Sequence, residues 1–195
     1  MSNKPRICEP EKTYHTRSRC IDRSMMMKHR KMKDLMLEVM NMAMEKYHFE
    51  LINYVIMDNH FHFYIRTVIG GESISRIMQF IKSQYARRYN KMTRRIGPFW
   101  NERFSDTIIE YTEDPEEVFN YINQYIMYNP VKAGYVTDPR DYRYGCIHFY
   151  LDESYVPPVK LTHHKYFLKL GKTFNERSRK FRAYEEKFRK MNKYN

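Results

Sequence analysis

The sequence is poor in cysteine and short of acids, and it holds no long apolar run. Its three cysteines, Cys8, Cys20 and Cys146, stand far apart. That spacing excludes a disulfide framework and a cysteine metal cage, and it predicts a cytoplasmic, reducing setting. No stretch approaches the roughly 20 apolar residues of a membrane-crossing helix. Met1–Arg6 lacks the apolar centre of a signal peptide, so no membrane partner is expected. Internal repeats and low-complexity tracts are absent. Acids number 23 against 35 Lys and Arg, a formal net charge of +12. This excess favours a polyanion, and the interleaved aromatics favour nucleic acid over a membrane surface. At 195 residues the chain is long enough to bury a core as one domain with an appendage.

A polar leader runs from Met1 to Lys12. Tyr14–Cys20 alternates as a strand does, and Met25–Tyr47 places Met32, Leu35, Met36, Val39, Met40 and Ala43 at helical spacing. Phe49–Met57 reads as a strand buried on both faces. Asp58-Asn59 then suits a tight hairpin, because both residues tolerate positive φ. Ser73 caps a helix running to about Arg95, with Ile74, Ile77, Met78, Ile81 and Tyr85 inward. From Arg76 to Arg103 eight Lys and Arg face one acid, Glu102, among Tyr85, Tyr89, Phe99 and Trp100. That segment is expected to bind DNA through Arg87, Arg88, Arg94, Arg95, Trp100 and Arg103.

Asp106–Tyr111 is a further strand. Asp114-Pro115-Glu116-Glu117 opens a helix that Pro130 must stop near Asn129. Asp138–Tyr150 is irregular, and Pro157-Pro158 marks a boundary. Beyond it, Lys160–Asn195 carries twelve Lys and Arg against three Glu. There Phe174, Phe181, Tyr184, Phe188 and Met191 form an amphipathic stripe that should dock on the body. The order strand, helix, strand, strand, helix, strand, helix predicts an α+β fold. It fits an antiparallel sheet with packed helices, ferredoxin-like or of the RNA-recognition type.

The chemistry centres on Asp58-Asn59-His60-Phe61-His62-Phe63-Tyr64-Ile65-Arg66. Side chains alternate along a strand, so His60 and His62 share one face while Phe61, Phe63 and Ile65 enter the core. Two imidazoles held side by side suit a metal; two structural histidines are the plainer reading. Downstream, Tyr125 and Asn129 lie one turn apart on a helix and share a face. An amide oxygen can complete a two-histidine site, and a phenol one turn away can face the same ion. Tyr128 points about 100° away from Asn129, and Tyr121 lies about 12 Å further along the axis.

His60-Phe61-His62, taken with Tyr125-Ile126-Met127-Tyr128-Asn129-Pro130-Val131-Lys132, resembles the single-tyrosine HUH transposases, in particular the REP-associated tyrosine transposase branch. Gly97–Phe104 and Asp141–Tyr144 look like two further segments of that family. Met57-Asp58 replaces the hydrophobic-proline pair common before the first histidine. The resemblance covers roughly Thr13–Tyr150, giving an HUH transposase domain over residues 13–150 and a basic helical tail over 159–195 with no counterpart. It implies the HUH nuclease fold, Tyr125 as nucleophile, and His60, His62 and Asn129 as metal ligands. The implied activity is metal-dependent cleavage and transfer of single-stranded hairpin DNA by a monomer or homodimer. Two imidazoles also suit Zn²⁺, but the amide ligand and phosphate substrate tilt towards Mg²⁺ or Mn²⁺, as does the resemblance. Two rivals share the same features: a non-catalytic RNA-recognition-type binder and a replication-initiator or relaxase-type HUH nuclease.

Overall fold

The alternation at the start of the chain becomes strand β1 (Thr13–Arg19) in the computed structural model, which describes residues 8–194. Most of the expected polar leader, residues 1–7, lies outside the described residues, as does Asn195. Helix α1 (Arg30–Lys46), hairpin strands β2 (Phe49–Ile56) and β3 (His60–Thr67), helix α2 (Ile74–Thr93) and strand β4 (Ser105–Ile108) follow. The sheet runs β2-β3-β1-β4 with every pairing antiparallel, the expected ferredoxin-like arrangement. No helix among the described residues is long and apolar enough to cross a membrane.

Both sheet faces are covered. Phe61, Phe63 and Ile65 of β3 meet Met36 and Val39 of α1 and Ile77 and Ile81 of α2 in one core. On the opposite face Ile52, Val55 and Tyr64 pack against Phe119, Ile122 and Ile126 of helix α3 (Pro115–Met127). This third layer sets the architecture apart from a plain two-layer ferredoxin-like sheet. It also brings α3 to the face that carries His60 and His62.

Several boundaries differ from the sequence reading. Helix α1 begins at Arg30, not Met25, because Met27 turns into the core and its N–H donates to the Asp58 carbonyl at 2.8 Å. The Asp58-Asn59 turn uses no positive φ. Outside bonds hold it instead: Lys33 Nζ reaches Asp58 Oδ1 at 2.6 Å, and Cys20 N–H donates to the Asn59 carbonyl at 2.8 Å. The last strand stops at Ile108 and passes into a 3-10 turn, Ile109–Tyr111. Pro130 ends α3 as expected, but the chain resumes helical form at once in α4 (Asn129–Lys132), where proline suits the first turn.

The irregular segment after Asp138 guards an edge. Gly145 bridges Val55, and the Tyr142 and Tyr150 hydroxyls donate to the Ile56 and Ile52 carbonyls, each at 2.7 Å. An edge strand covered in this way cannot pair with another chain. After α5 (His148–Leu151) and α6 (Lys165–Leu168), helix α7 (Phe174–Asn192) starts from a capping box between Thr173 and Glu176. Phe174, Phe181 and Phe188 are buried against the body, whereas Met191, expected in the same stripe, is 58% exposed.

Candidate active site beneath helix α3

The alternation of β3 puts His60, His62 and Tyr64 on the α3 side. Asn59 lies beside His60, and the His60 imidazole Nδ1 is 2.7 Å from the Asn59 side-chain oxygen. An amide oxygen only accepts, so Nδ1 carries the proton and Nε2 presents a lone pair. That Nε2 lies 3.5 Å from Asn129 Oδ1. Asn129 is oriented by its own amide, whose Nδ2 donates to the Tyr125 carbonyl at 3.0 Å, the one-turn relation expected from the spacing. Two lone-pair donors therefore face each other, an arrangement that favours a cation between them. Among the described residues no three His, Cys, Asp or Glu side chains gather as a metal cage, so a cation site here depends on the Asn129 amide.

Tyr125 comes from the same turn. Its ring meets His62 edge-on with centroids 5.6 Å apart, and His15 at 6.0 Å. Lys132 Nζ lies 5.9 Å from the centre of the same ring. The two neighbouring tyrosines, Tyr121 on α3 and Tyr128 at its C-terminal cap, point elsewhere. Tyr121 is 42% exposed and meets Phe188, and the buried Tyr128 hydroxyl donates to Glu185 Oε1 at 2.7 Å.

His15 on β1 completes the cluster. Its Nε2 is 2.8 Å from His62 Nδ1, and the two rings stack with centroids 5.0 Å apart. Burial lowers the pKa of both His15 and His60 to about 4, and it pushes His62 well below the ordinary value. Arg17 and Arg19 add to the depression of both strand histidines. Neutral imidazoles keep the lone pairs that a metal needs.

The residues expected to contact DNA divide. Arg87 is exposed on α2, Arg88 is half-buried there, and Arg94 is exposed at the helix end, where it adopts φ 53°. Arg95 is occupied in its own loop, donating to the Pro98 carbonyl at 2.8 Å. Trp100 is largely a packing residue: its ring meets Phe61 and Phe99, and Nε1 donates to the Lys82 carbonyl at 2.9 Å. It also walls an apolar groove of about 640 Å³ together with Lys82, Ala86 and Arg103. Sequence reasoning missed His15, Arg17, Arg19 and Lys132. Lys132 was within reach, since a spacing of seven returns to the Tyr125 face. His15 needed the β1–β3 register, which seats it opposite Tyr64 and diagonal to His62.

Comparison with known proteins follows the same outline. The model of the family described as IS200-like transposases matches residues 10–126, ending one residue past Tyr125. A curated Haemophilus influenzae protein described as a REP-associated tyrosine transposase is 27% identical over 53% of this chain and 62% of its own length. The chain thus matches less than two thirds of that relative. A solved REP-associated tyrosine transposase bound to a REP hairpin superposes with a TM-score of 0.67. It is 20% identical and covers 85% of this chain and 96% of its own, a likeness of fold.

Proposed function

From the premise that the chain belongs to the IS200-like transposase family, we propose that it is a metal-dependent single-stranded DNA endonuclease and strand transferase acting on hairpin DNA. The observation that carries this reading is the approach of His60 Nε2 and Asn129 Oδ1 to 3.5 Å, with the Tyr125 ring 5.6 Å from His62. On this reading the ligand residues of β3 and the nucleophile of α3 stand side by side.

The Tyr125 hydroxyl oxygen attacks the scissile phosphorus. A tyrosine–phosphorus bond forms, the bond from phosphorus to the 3′ oxygen breaks, and that oxygen takes up a proton as the phenol gives one up. The products are a 5′-phosphotyrosine and a free 3′-hydroxyl. Because the phosphodiester energy is retained, another 3′-hydroxyl can reverse the step and join strands without ATP. Lys132 Nζ, 5.9 Å from the ring centre, is a positive charge close to the reacting group. Asn129 and His60 supply two donor atoms and His62 a third through Nε2. For His62 to serve, its Nδ1 must hold the proton, which makes His15 Nε2 the acceptor of their bond. The Mg²⁺ or Mn²⁺ ion such a site suits would supply Lewis-acid stabilisation of the pentacovalent phosphate.

The test uses labelled hairpin strands from the DNA flanking the coding sequence, with matched duplex as control. Cleavage is expected with Mg²⁺ or Mn²⁺ on single strands only, and it should vanish in EDTA and in His60→Ala and His62→Ala. Undiminished cleavage by metal-stripped protein in EDTA overturns the metal role. Wild-type cleavage by either variant overturns that ligand.

A further inference from the structure

Beside the histidine pair lies a polar cavity of about 180 Å³ walled by Arg17, Arg19, Arg23 and Arg103, with Asn101 and Ser105. One carboxylate, Glu102, shares its lining. Register explains the juxtaposition. Arg17 sits directly opposite His62 on β3 and opposite Ser105 on β4, and Arg19 sits opposite His60. The chain before β4 is stapled over the end of β1: Ile21 N–H donates to the Phe99 carbonyl at 2.8 Å, and Asn101 N–H to the Arg19 carbonyl at 3.0 Å. Arg23, at φ 55°, is held from the hairpin by Asn59, whose Nδ2 donates to its carbonyl at 3.0 Å. The same Asn59 accepts from His60. One amide therefore ties the arginine cavity to the imidazole.

Arg19 Nε is buried and has no hydrogen-bond partner among the described residues. The Arg19 guanidinium is thus not committed at that donor to an acceptor within the protein, and the side chain lines the cavity where an oxyanion could engage it. The guanidinium fork matches two phosphate oxygens. We propose that this cavity binds one backbone phosphodiester of a single DNA strand, next along the chain from the phosphate at His60 and His62. The inference rests on the transposase reading for its ligand, and Arg17, Arg19 and Arg23 are its residues. Its role is to fix the strand's register against Tyr125, so that the attacked phosphorus is chosen by its neighbour's position.

The experiment measures binding of fluorescent dT20 by anisotropy in EDTA across a salt series. Cleavage is thereby silenced. Each phosphate neutralised on a single strand contributes about 0.7 to the slope of log K against log salt. The Arg17→Gln/Arg19→Gln variant should lose about 0.7 of slope, which corresponds to roughly eightfold weaker binding at about 0.05 M salt and convergence with wild type towards about 1 M. Arg17→Lys/Arg19→Lys should retain the slope, as should Lys31→Gln on α1. Should the double variant fail to fold, Arg23→Gln, at an exposed position, carries the same comparison. An unchanged slope in the folded Gln variant overturns the proposal. So does inorganic phosphate bound by wild type and lost in the variant while dT20 binding is unaltered. A protein that shows the slope difference yet never cleaves hairpin DNA overturns the transposase reading alone, so the two fail separately.

Discussion

Replacing Phe181 by Ala tests whether α7 belongs to the folded body or merely follows it. The Phe181 side chain is 1% exposed. Its ring stacks on Tyr150 with centroids 4.9 Å apart, and Phe167 lies edge-on at 6.0 Å. Truncating a buried phenylalanine costs about 3–5 kcal/mol, more where the neighbours cannot collapse into the space. Here they are held. Tyr150 is itself fully buried, and its hydroxyl is bound to the Ile52 carbonyl at 2.7 Å. That loss is a large part of the about 5–15 kcal/mol that holds a domain folded. For a chain of this length each kcal/mol lowers Tm by about 2–4 °C, so the expected fall is about 6–20 °C. Thermal unfolding followed by circular dichroism reads it. Met191→Ala, on the same helix but 58% exposed, should move Tm by no more than about 2 °C. If Phe181→Ala behaves like Met191→Ala, the tail is a loosely attached segment and the packing argument fails.

Tyr125→Phe should retain folding and strand binding but form no covalent adduct; a DNA-modified peptide mapped to Tyr121 or Tyr128 would refute the choice of nucleophile. His15→Ala should weaken Mn²⁺ binding by about 10–100-fold in calorimetric titration, because it removes the group that fixes the His62 tautomer; wild-type affinity would deny His15 that role. Deleting residues 160–195 should give aggregated protein, since it strips Phe181 and Phe188 from the body. Arg179→Gln/Arg182→Gln changes only exposed charge on α7 and should weaken single-strand binding with Tm unmoved; unchanged affinity would reject a DNA role for the tail.

Local periodicity carried the parts that depend on one element. His60 and His62 share a face because a strand repeats every two residues, and Asn129 reaches back to Tyr125 because a helix nearly repeats every four. The Asp114 cap was equally local: its carboxylate accepts from the Glu117 N–H at 2.9 Å. What depended on two elements was not legible. No spacing states that α3 covers the sheet's second face, since that follows from Phe119, Ile122 and Ile126 finding Ile52, Val55 and Tyr64. The His15–His62 bond needs a strand register set by residues far apart in sequence. At Asp58-Asn59 the turn propensity was read correctly but its geometry was not, because Lys33 and the Cys20 amide decide it from outside. Lys33 itself lies on α1 yet is buried, its charge answered by Asp58 rather than by water.

Tyr121 and Tyr125 on α3 and Tyr128 at its C-terminal cap show how tertiary support agrees with the helix spacing that separates them in sequence. Successive positions on a helix diverge by about 100°, so one helix can serve three environments. Tyr128 is committed to the brace behind the site. Glu185, itself buried, takes the Tyr128 proton in a hydrogen bond and pairs with Arg140 at 2.7 Å. Burial and that neighbouring carboxylate push the Tyr128 pKa up, which disfavours the phenolate an attack on phosphorus requires. Tyr121 leans on Phe188 at the outer face, away from the imidazoles. Tyr125 alone of the three contacts His15 and His62, with Lys132 as the nearby positive charge. Its carbonyl also orients the Asn129 amide, so the proposed nucleophile and the proposed ligand shift together rather than separately. The contacts of α7 with Tyr121 and Tyr128 hold that unit from behind while β3 holds the histidines from below. On the proposed reading, a phosphate between them would be held from both sides, which supplies the proximity and orientation that attack on phosphorus needs.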